Sequence, residues 1–222
     1  MIVDENTKIY VGETEIEKVC QGQNIIYEKQ QPFTKLQYIE NDGNQYIMTG
    51  IYLSNNVLRC VTKARGTSTA IVYSDGFILS GFYNDTYGIG DIYGDSERNR
   101  WAFYYGNNLN VYTNLYYTKN IDYELDWTIG ARDYNVIVDN NQEQGQKSAI
   151  SYPNNTQLTM FARGTNSQYR FKGRIYYMKI YVDAVLVRDF IPVLDENNVP
   201  CMYDKVSKTY FYNAGRGQFL YG

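Results

Sequence analysis

The chain has 222 residues, with 21 Lys and Arg against 24 Asp and Glu and a formal net charge of -3. This near-balance argues against a general electrostatic grip on nucleic acid, which needs a clearly basic face. Histidine is absent, which excludes imidazole acid–base catalysis, Ser-His and Cys-His nucleophile pairs and imidazole metal sites. Composition alone therefore excludes much of enzyme chemistry.

The N-terminal segment carries a short repeat. Residues 9–16 and 19–26 align ten positions apart, with Gly12 and Gly22 at the fourth place of each unit. Two glycine-centred turns between short strands predict a small β-meander module over residues 1–31. About thirty residues bury too little apolar area to fold alone, so the module packs on the main domain or on another chain. Both alternatives stay open.

Beyond Pro32 the chain reads as an all-β domain over residues 32–222. Apolar or alternating runs recur about every 8–12 residues, the spacing of a sandwich or barrel. The segments 41–44 and 106–108 punctuate strand pairs, and Asp75-Gly76 is the strongest hairpin signal. A helix at 118–128 is a weak alternative.

Two of the predicted strands have clear faces. Residues 134–139 alternate, with Val136 and Val138 on one face. Residues 175–182 alternate as well, and this predicts one face made of Tyr176, Met178, Ile180 and Val182 and an opposite face made of Ile175, Tyr177, Lys179 and Tyr181.

The cysteines Cys20, Cys60 and Cys201 lie far apart, without the C-x-x-C spacing of a zinc ribbon or a dithiol redox motif. An odd, sparse count predicts buried thiols in a reducing compartment, while a Cys20–Cys60 or a Cys60–Cys201 bridge stays open. The N-terminus lacks the features of a signal peptide, and no run of 18 apolar residues occurs. We therefore expect a protein made in the cytoplasm, without membrane insertion.

A family pattern stands at both ends of the main domain. Its motifs are residues 38–50, 171–181, 186–193, 203–206 and 210–219. Over about residues 33–222 the chain resembles the concanavalin A-like (laminin-G-like) jelly-roll domain of structural proteins of tailed bacteriophages, especially phages of gut bacteria. The N-terminal repeat resembles short β-modules that precede such domains in phage virion proteins. The resemblance implies an all-β, concanavalin A-like jelly-roll β-sandwich with a small N-terminal β-module that serves for attachment.

The resemblance also implies a function. It indicates a non-enzymatic virion structural or adhesion protein, such as a head fibre, a capsid decoration or a tail-fibre component, made in the host cytoplasm. Other virion proteins and further copies of the chain would be its partners, and a host surface glycan its ligand; nucleic acid would not be one. The first alternative is a stand-alone or cell-surface carbohydrate-binding module. The second is a glycoside hydrolase of the same fold.

The motifs themselves predict structural roles. In such sandwiches the first and last strands often pair, which would place residues 45–50 beside 175–181. Asp189 would accept backbone or tyrosine hydrogen bonds at a strand exit. Residues 213–217, with two glycines, would form a tight final turn.

Catalysis of the glucanase type needs Glu-x-Asp-x-x-Glu, or the form one residue shorter, on one strand. Glu124 and Asp126 fit this pattern, but Thr128 or Ile129 stands at the third position and neither can act as the acid/base. We therefore predict no enzyme activity. Trp127 between them is predicted as a core or interface anchor.

Cofactors are not predicted. Some laminin-G-like domains bind calcium through loop carboxylates, and the acidic loops 91–97 and 195–198 could hold Ca²⁺ weakly through oxygen ligands. EF-hand spacing is missing, so solvated loop charge is the favoured interpretation.

Two aromatic–polar segments are candidate ligand sites. They combine rings, on which sugar CH faces stack, with amides that meet hydroxyl groups, although packed strand residues would explain the same letters. The candidate residues are Tyr83, Asn84, Tyr87, Tyr112, Asn114 and Tyr116.

Overall fold

A computed structural model describes residues 10–11, 14–15, 18–21, 24–28, 33–52, 56–67, 78–84, 87–95, 100–104, 110–130, 132–146, 157–162 and 170–222. Side chains are described from residue 33 onward, except over 78–95 and 102–112. The described residues contain strands and turns and no helix. The strands are β1 (Tyr10–Val11), β2 (Thr14–Glu15), β3 (Lys18–Gln21), β4 (Asn24–Glu28), β5 (Thr34–Lys35), β6 (Ile39–Asn41), β7 (Ile47–Tyr52), β8 (Leu58–Gly66), β9 (Ile78–Asn84), β10 (Tyr87–Asp95), β11 (Arg100–Tyr104), β12 (Asn110–Tyr116), β13 (Asp122–Ile129), β14 (Asp133–Val138), β15 (Asn141–Gln146), β16 (Gln157–Met160), β17 (Gly173–Val182), β18 (Val185–Leu194), β19 (Pro200–Asp204), β20 (Thr209–Phe211) and β21 (Leu220–Tyr221).

Two antiparallel sheets form a sandwich. The smaller sheet has the order β12-β11-β10-β9-β16-β7, and the larger follows the path β15-β14-β13-β8-β17-β18-β19-β20 with β5, β6 and β21 paired beside it. Leu158 and Met160 of the smaller sheet share one hydrophobic core with Leu125 and Ile180 of the larger. The predicted all-β sandwich is confirmed.

Alternation along the central strands decides which side chains enter this core. On β13, Leu125 and Trp127 are buried while Glu124 and Asp126 face outward. Because β13 pairs with β8, Trp127 lies opposite Cys60 in the core. The segment 118–128 is therefore no helix, and Trp127 is the predicted core anchor.

The face prediction for residues 175–182 is wrong at its beginning. Ile175 is fully buried together with Met178 and Ile180, although strict alternation placed it on the opposite face. The reason is a β-bulge: the register of β17 against β8 shifts between Ile175 and Tyr177. The bulge leaves both Tyr176 and Tyr177 half-buried, outside the core.

The terminal strands meet, but not where the motifs predict. β6 pairs with β17 and β21, so that Ile39 lies opposite both Ile175 and Tyr221. Residues 45–50 do not lie beside 175–181, because they lead into β7, which pairs with β16 in the smaller sheet. The physical reason is that the chain crosses between the sheets directly after β6.

The crossing uses the predicted turn at residues 41–44, which joins two sheets and does not close a hairpin. Asn41 Oδ1 accepts the backbone N–H groups of Gly43 and Gln45 at 2.7 and 3.0 Å. The final turn is confirmed: Asn213 Oδ1 accepts the amide of Gly215 at 2.7 Å, and Gly217 has a φ of 70°. The hairpin signal at 75–76 lies outside the described residues.

Asp204 at the end of β19, and not Asp189, accepts the predicted backbone hydrogen bonds, because Asp189 lies in the middle of β18 and not at a strand exit. Its carboxylate accepts the amides of Asp189, Val206 and Ser207 at 2.8, 3.1 and 3.1 Å and the Ser207 hydroxyl at 2.6 Å. Asp189 instead pairs with Lys205 Nζ at 2.6 Å. The predicted role therefore belongs to the fully buried Asp204, which caps the β19–β20 turn.

The two described thiols are unpaired. Cys60 and Cys201 are both buried and free, so neither disulfide left open by the sequence forms. Burial raises the pKa of the Cys60 thiol well above its usual value, and it raises that of Cys201 to about 12. Thiols of this kind pack as small apolar groups and react slowly.

The N-terminal repeat contains two strand pairs. β1 pairs with β2 and β3 with β4, each pair being a separate two-stranded antiparallel sheet. The boundary between residues 31 and 32 stays a prediction.

Candidate functional site

The candidate site is a groove on the outward face of the larger sheet, which we call the outer groove. Its volume is about 770 Å³, and its walls come from β8, β17 and β18 together with the segment 35–37. The lining residues are Lys35, Leu36, Gln37, Arg59, Val61, Tyr176, Tyr177, Lys179, Tyr181, Asp189, Ile191, Pro192 and Lys205.

The centre of the groove is a row of side chains on β17. Tyr177, Lys179 and Tyr181 point outward because Met178 and Ile180 between them are fully buried in the core. Successive outward residues on a strand stand about 7 Å apart, so two rings flank one ammonium group. All three side chains are half-buried and open to the groove.

Arg59 fixes one end of this row. Its Nε and Nη2 donate to Asp126 Oδ1 and Oδ2 at 2.8 and 2.6 Å, a two-bond pair. The same guanidinium lies 5.2 Å from the centre of the Tyr181 ring. Arg59 therefore orients a ring of the groove while its charge is matched by Asp126.

Tyr177 is held from β13, which lies beyond β8 in the larger sheet. Its hydroxyl donates a short hydrogen bond to Glu124 Oε2 on β13. Burial, together with this bond, raises the pKa of Tyr177 well above its usual range. The hydroxyl therefore stays protonated at physiological pH and keeps the ring in a fixed position.

A charge cluster stands beside the groove at Tyr176. Asp122 accepts Arg65 Nε at 2.5 Å and the Tyr176 hydroxyl at 2.8 Å, and Lys63 Nζ lies 3.8 Å from it. The Arg65 hydrogen bond leads the effects that lower the pKa of Asp122. The charged groups of this cluster pair with one another, and the hydrogen bond to Asp122 positions Tyr176.

The wall opposite β8 is built where the main domain begins. Phe33 packs on Tyr203 and Tyr210, with ring centroids 4.6 and 6.4 Å apart, and Lys35 pairs in β5 with Val193 of β18. These aromatic contacts hold the segment 35–37 against the outward face of the sheet.

The structure places half of the sequence-predicted site residues at one hairpin. Tyr83 and Asn84 end β9 and Tyr87 begins β10, with Asn84 opposite Tyr87 and Tyr83 opposite Gly88. Their backbones thus come together, whereas their side chains lie outside the described part. Whether they bind a ligand stays a prediction.

The other predicted residues lie on β12, at the edge of the same sheet. Tyr112 lies opposite Ala102, and Tyr116 opposite Arg100 towards the far end of β11. Asn114 is exposed, and its backbone N–H donates to Glu143 Oε2 of β15 at 2.7 Å. Tyr116 is 69% exposed.

The strand registers separate these two groups. Asp91 of β10 is level with Tyr104 of β11 and Asn110 of β12. From this level, Tyr87 lies four positions away along β10, and Tyr116 lies six positions away along β12 in the opposite direction. At about 3.3 Å per residue this is roughly 30 Å. The hairpin residues and Tyr116 therefore cannot share one small ligand.

The acidic loop 195–198 is organised by hydrogen bonds within the protein. Asp195 accepts the amides of Asn197 and Val199 at 2.9 and 2.8 Å and the Tyr212 hydroxyl at 2.9 Å. The Val199 amide leads the effects that lower the pKa of Asp195. In the described part of the chain no group of three or more metal-ligating side chains comes together. Loop 91–97 falls partly outside that part.

The carboxylates of the glucanase-like pattern lie at the outer groove, each with a partner. Glu124 accepts the Tyr177 hydroxyl and Asp126 holds Arg59. Of the two residues that could stand at the third position, Thr128 faces outward and Ile129 is buried, and neither is a carboxylate. The two carboxylates therefore position the Tyr177 ring and the Arg59 guanidinium.

The sequence does not predict the outer groove, although its alternation places three of the groove residues on one strand face. Tyr177, Lys179 and Tyr181 were assigned to one face, but nothing in the sequence says that β8 and β18 flank β17. Arg59, Asp189 and Lys205 reach the groove only through that strand order. The alternation of residues 177–181 was the signal available.

No protein-family model matches this sequence, and no curated protein matches it either. Solved structures do. A putative carbohydrate binding protein from Bacteroides ovatus has a TM-score of 0.55 at 11% identity, over 91% of this chain and 64% of that one. Domains LG4-5 of the mouse laminin alpha1 chain have a TM-score of 0.46 at 11% identity, over 81% and 51%. The heptameric SAP-like pentraxin from Limulus polyphemus has a TM-score of 0.47 at 9% identity, over 66% and 73%.

These likenesses concern the fold. The chain has the concanavalin A-like, laminin-G-like jelly-roll fold that its motifs predict. It spans 64% of the Bacteroides ovatus protein and 51% of the laminin fragment. Over the described residues, no helix has the length and apolarity to span a bilayer.

Proposed function

We propose that this chain is a non-enzymatic carbohydrate-binding domain and that its ligand lies in the outer groove. The observation that carries the proposal is the row on β17, where Tyr177 and Tyr181 flank Lys179 in a groove of about 770 Å³. Ligand sites typically occupy about 300–1,000 Å³ and combine ring surfaces with a few polar groups.

The chemistry of the row suits a saccharide. The CH faces of a sugar stack on tyrosine rings, and its hydroxyl groups bond to charged and amide groups beside them. Gln37 supplies such an amide in the groove wall. The Tyr177 ring is held by Glu124 of β13 and the Tyr181 ring by Arg59 of β8, so little conformational entropy is lost on binding.

The likeness to the putative carbohydrate binding protein from Bacteroides ovatus supports this proposal at the level of the fold. A fold alone does not determine function, so the argument rests on the groove.

Binding without hydrolysis follows from the state of the carboxylates. A glycosidase needs one carboxylic acid that gives a proton and a second carboxylate that attacks or activates water. Here Asp126 is committed to a two-bond pair with Arg59, and Glu124 accepts the Tyr177 hydroxyl. No third carboxylate follows on β13.

Replacing Tyr181 by alanine should weaken saccharide binding at least about tenfold, because it removes a stacking surface at the centre of the site. The measurement is affinity electrophoresis of the full chain in gels that contain a panel of soluble polysaccharides, followed by calorimetry on those that retard it. Thermal unfolding of the variant verifies that it is folded.

Tyr116→Ala is the matched control, since Tyr116 is a 69% exposed tyrosine of the other sheet. It should leave binding unchanged. Loss of binding in Tyr116→Ala with none in Tyr181→Ala would move the ligand to β12, where the sequence analysis placed it. Failure of the unmodified chain to bind any saccharide would refute the proposed function.

A second proposal concerns where the domain works: on a phage particle, attached through residues 1–31 to other virion proteins or to copies of itself. The supporting observations are the motif resemblance over residues 33–222 and the separate sheets β1-β2 and β3-β4. A folded element that is hydrogen-bonded within itself is free to serve as an attachment device.

Removal of residues 1–31 should leave a folded protein that no longer assembles. Sedimentation compares the oligomeric state of residues 32–222 with that of the full chain, and labelled protein on intact particles tests incorporation. Gly12→Val with Gly22→Val should imitate the deletion if the turns need positive φ. Normal assembly of the truncated protein would place the contacts on the sandwich, and its unfolding would assign the module to the main core.

A further inference from the structure

We infer that the outer groove selects anionic saccharides, sugars that carry carboxylate or sulfate groups, and that Lys179 and Lys35 bind the anionic substituents. This inference rests on the proposed function and adds the chemical class of its ligand.

The groove lining differs in charge from the chain as a whole. The chain as a whole has 21 basic against 24 acidic residues. The groove reverses this balance, because its lining contains the cations Lys35, Arg59, Lys179 and Lys205 and the single carboxylate of Asp189. A concavity with an excess of cations concentrates anions.

Within the part of the chain that the structure describes, two of these cations have no carboxylate partner. Arg59 is held by Asp126 at 2.6 Å, and Lys205 by Asp189 at 2.6 Å. Across the described residues, neither Lys179 nor Lys35 has a carboxylate within 4.0 Å. These two ammonium groups therefore have their charge available for a ligand.

The immediate neighbours of Lys179 explain why it stays unmatched. Across the strands it lies opposite Val61 on β8 and Asp189 on β18. Val61 offers no charge, and the Asp189 carboxylate turns to Lys205. Two further carboxylates, Glu124 and Asp126 of β13, are bonded to Tyr177 and Arg59.

The spacing of side chains along β17 brings a bound sugar close to Lys179. Lys179 stands between Tyr177 and Tyr181 on one strand, about 7 Å from each along the backbone. A sugar ring stacked on either tyrosine brings a substituent of that ring, or of the next one, to the ammonium group. Lys35 stands on the wall that Phe33 anchors, so anionic groups of a chain lying in the groove meet two separated cations.

Selection against neutral sugars follows from desolvation. A neutral ligand that covers Lys179 removes water from the ammonium group and supplies no charged acceptor in exchange. An anionic ligand supplies one, and hydrogen bonds between charged groups are about twice as strong as neutral ones.

The test measures binding of the full chain to two matched pairs of polymers. Polygalacturonate is compared with its methyl ester, and dextran sulfate with dextran, so that the two arms separate carboxylate from sulfate recognition. We expect the anionic member of at least one pair to bind at least about tenfold more tightly at low salt, and the difference to shrink as salt screens the charges.

Charge-removing variants locate the effect. Lys179→Met and Lys35→Met should each lower affinity for the anionic polymer by about tenfold, and neither should lower affinity for the neutral polymer. Lys119→Gln, an exposed lysine of the turn before β13, is the control and should change neither. Tyr181→Ala should weaken both, because the ring contacts the sugar itself.

The outcomes distinguish a failure of the selection for anions from a failure of the proposed function. Equal binding of anionic and neutral polymers would overturn the selection for anions while leaving saccharide binding intact. Binding of neither kind would refute the proposed function. Binding of poly-L-glutamate as tightly as the anionic polymer would also overturn the inference, because the groove would then recognise charge without sugar.

Discussion

Asp204→Ala should destabilise the sandwich by about 3–5 kcal/mol, the range for removing one partner of a buried charge network. The Asp204 carboxylate is fully buried, accepts backbone amides of Asp189, Val206 and Ser207, and lies 3.7 Å from Arg188 Nε. The alanine leaves these three amides, and the Arg188 guanidinium, without this acceptor. Urea unfolding followed by tyrosine and tryptophan fluorescence measures the change in the free energy of unfolding.

Asp133→Ala is the matched control, because Asp133 is exposed and accepts only the Gln146 amide by its side chain among the described residues. Its effect should stay within about 0.5 kcal/mol. An Asp204→Ala protein as stable as the control would show that the network of hydrogen bonds contributes nothing net.

The same carboxylate makes stability depend on pH. Burial alone would raise the pKa of Asp204, but the hydrogen bonds from the Ser207 hydroxyl and the backbone amides outweigh burial and lower it. A group whose folded pKa lies below its unfolded value stabilises the protein above the unfolded value, about 3.9 for Asp. This contribution is lost as pH falls below about 4, and Asp204→Ala should lack that part of the pH dependence.

Gly173→Val should cost about 3 kcal/mol or more, the upper range for overpacking a core. Gly173 has a φ of 154°, and a Cβ there would lie inside the contact distance of the Arg65 carbonyl oxygen and 2.9 Å from Gly66 Cα. Both obstacles are backbone of the neighbouring strand β8, so they cannot rotate away as a side chain would. Chemical denaturation of the purified variant measures the loss, and poor soluble yield is the expected companion.

Gly130→Ala provides the comparison for this substitution. A Cβ at Gly130 would meet the Asp133 carbonyl oxygen at 3.7 Å and a Val57 methyl at 3.9 Å, ordinary contacts, and its φ is not positive. The change should be close to neutral. If Gly173→Val were as stable as Gly130→Ala, the close approach of β17 to β8 would be wrong.

Alternation predicted the strands whose faces stay regular. Val136 and Val138 are buried as their spacing indicates, and Trp127 is buried as the anchor that the sequence predicts. A period of two needs only local sequence, because each peptide turns the following side chain to the other face. The all-β class follows from the same signal.

The sequence could not predict the places where distant strands decide. The bulge at Ile175–Tyr177 arises from the pairing of β17 with β8, more than a hundred positions away in the chain. The crossing after β6 and the walls of the outer groove likewise depend on strand order. The sequence therefore indicates only part of the candidate site. Alternation predicts the row on β17, whereas the positions of Arg59, Asp189 and Lys205 in the groove could not be predicted.

The hydrogen bond from the Asn114 amide to Glu143 has a consequence for self-association. Asn114 lies on β12, the last strand of the smaller sheet, and Glu143 on β15, the last strand of the larger. A carboxylate over the amide of a border strand occupies the position that an incoming strand would need, and its negative charge repels the carbonyl groups of such a strand. This hydrogen bond therefore removes one of the open amides that an added strand would use at the edge of β12.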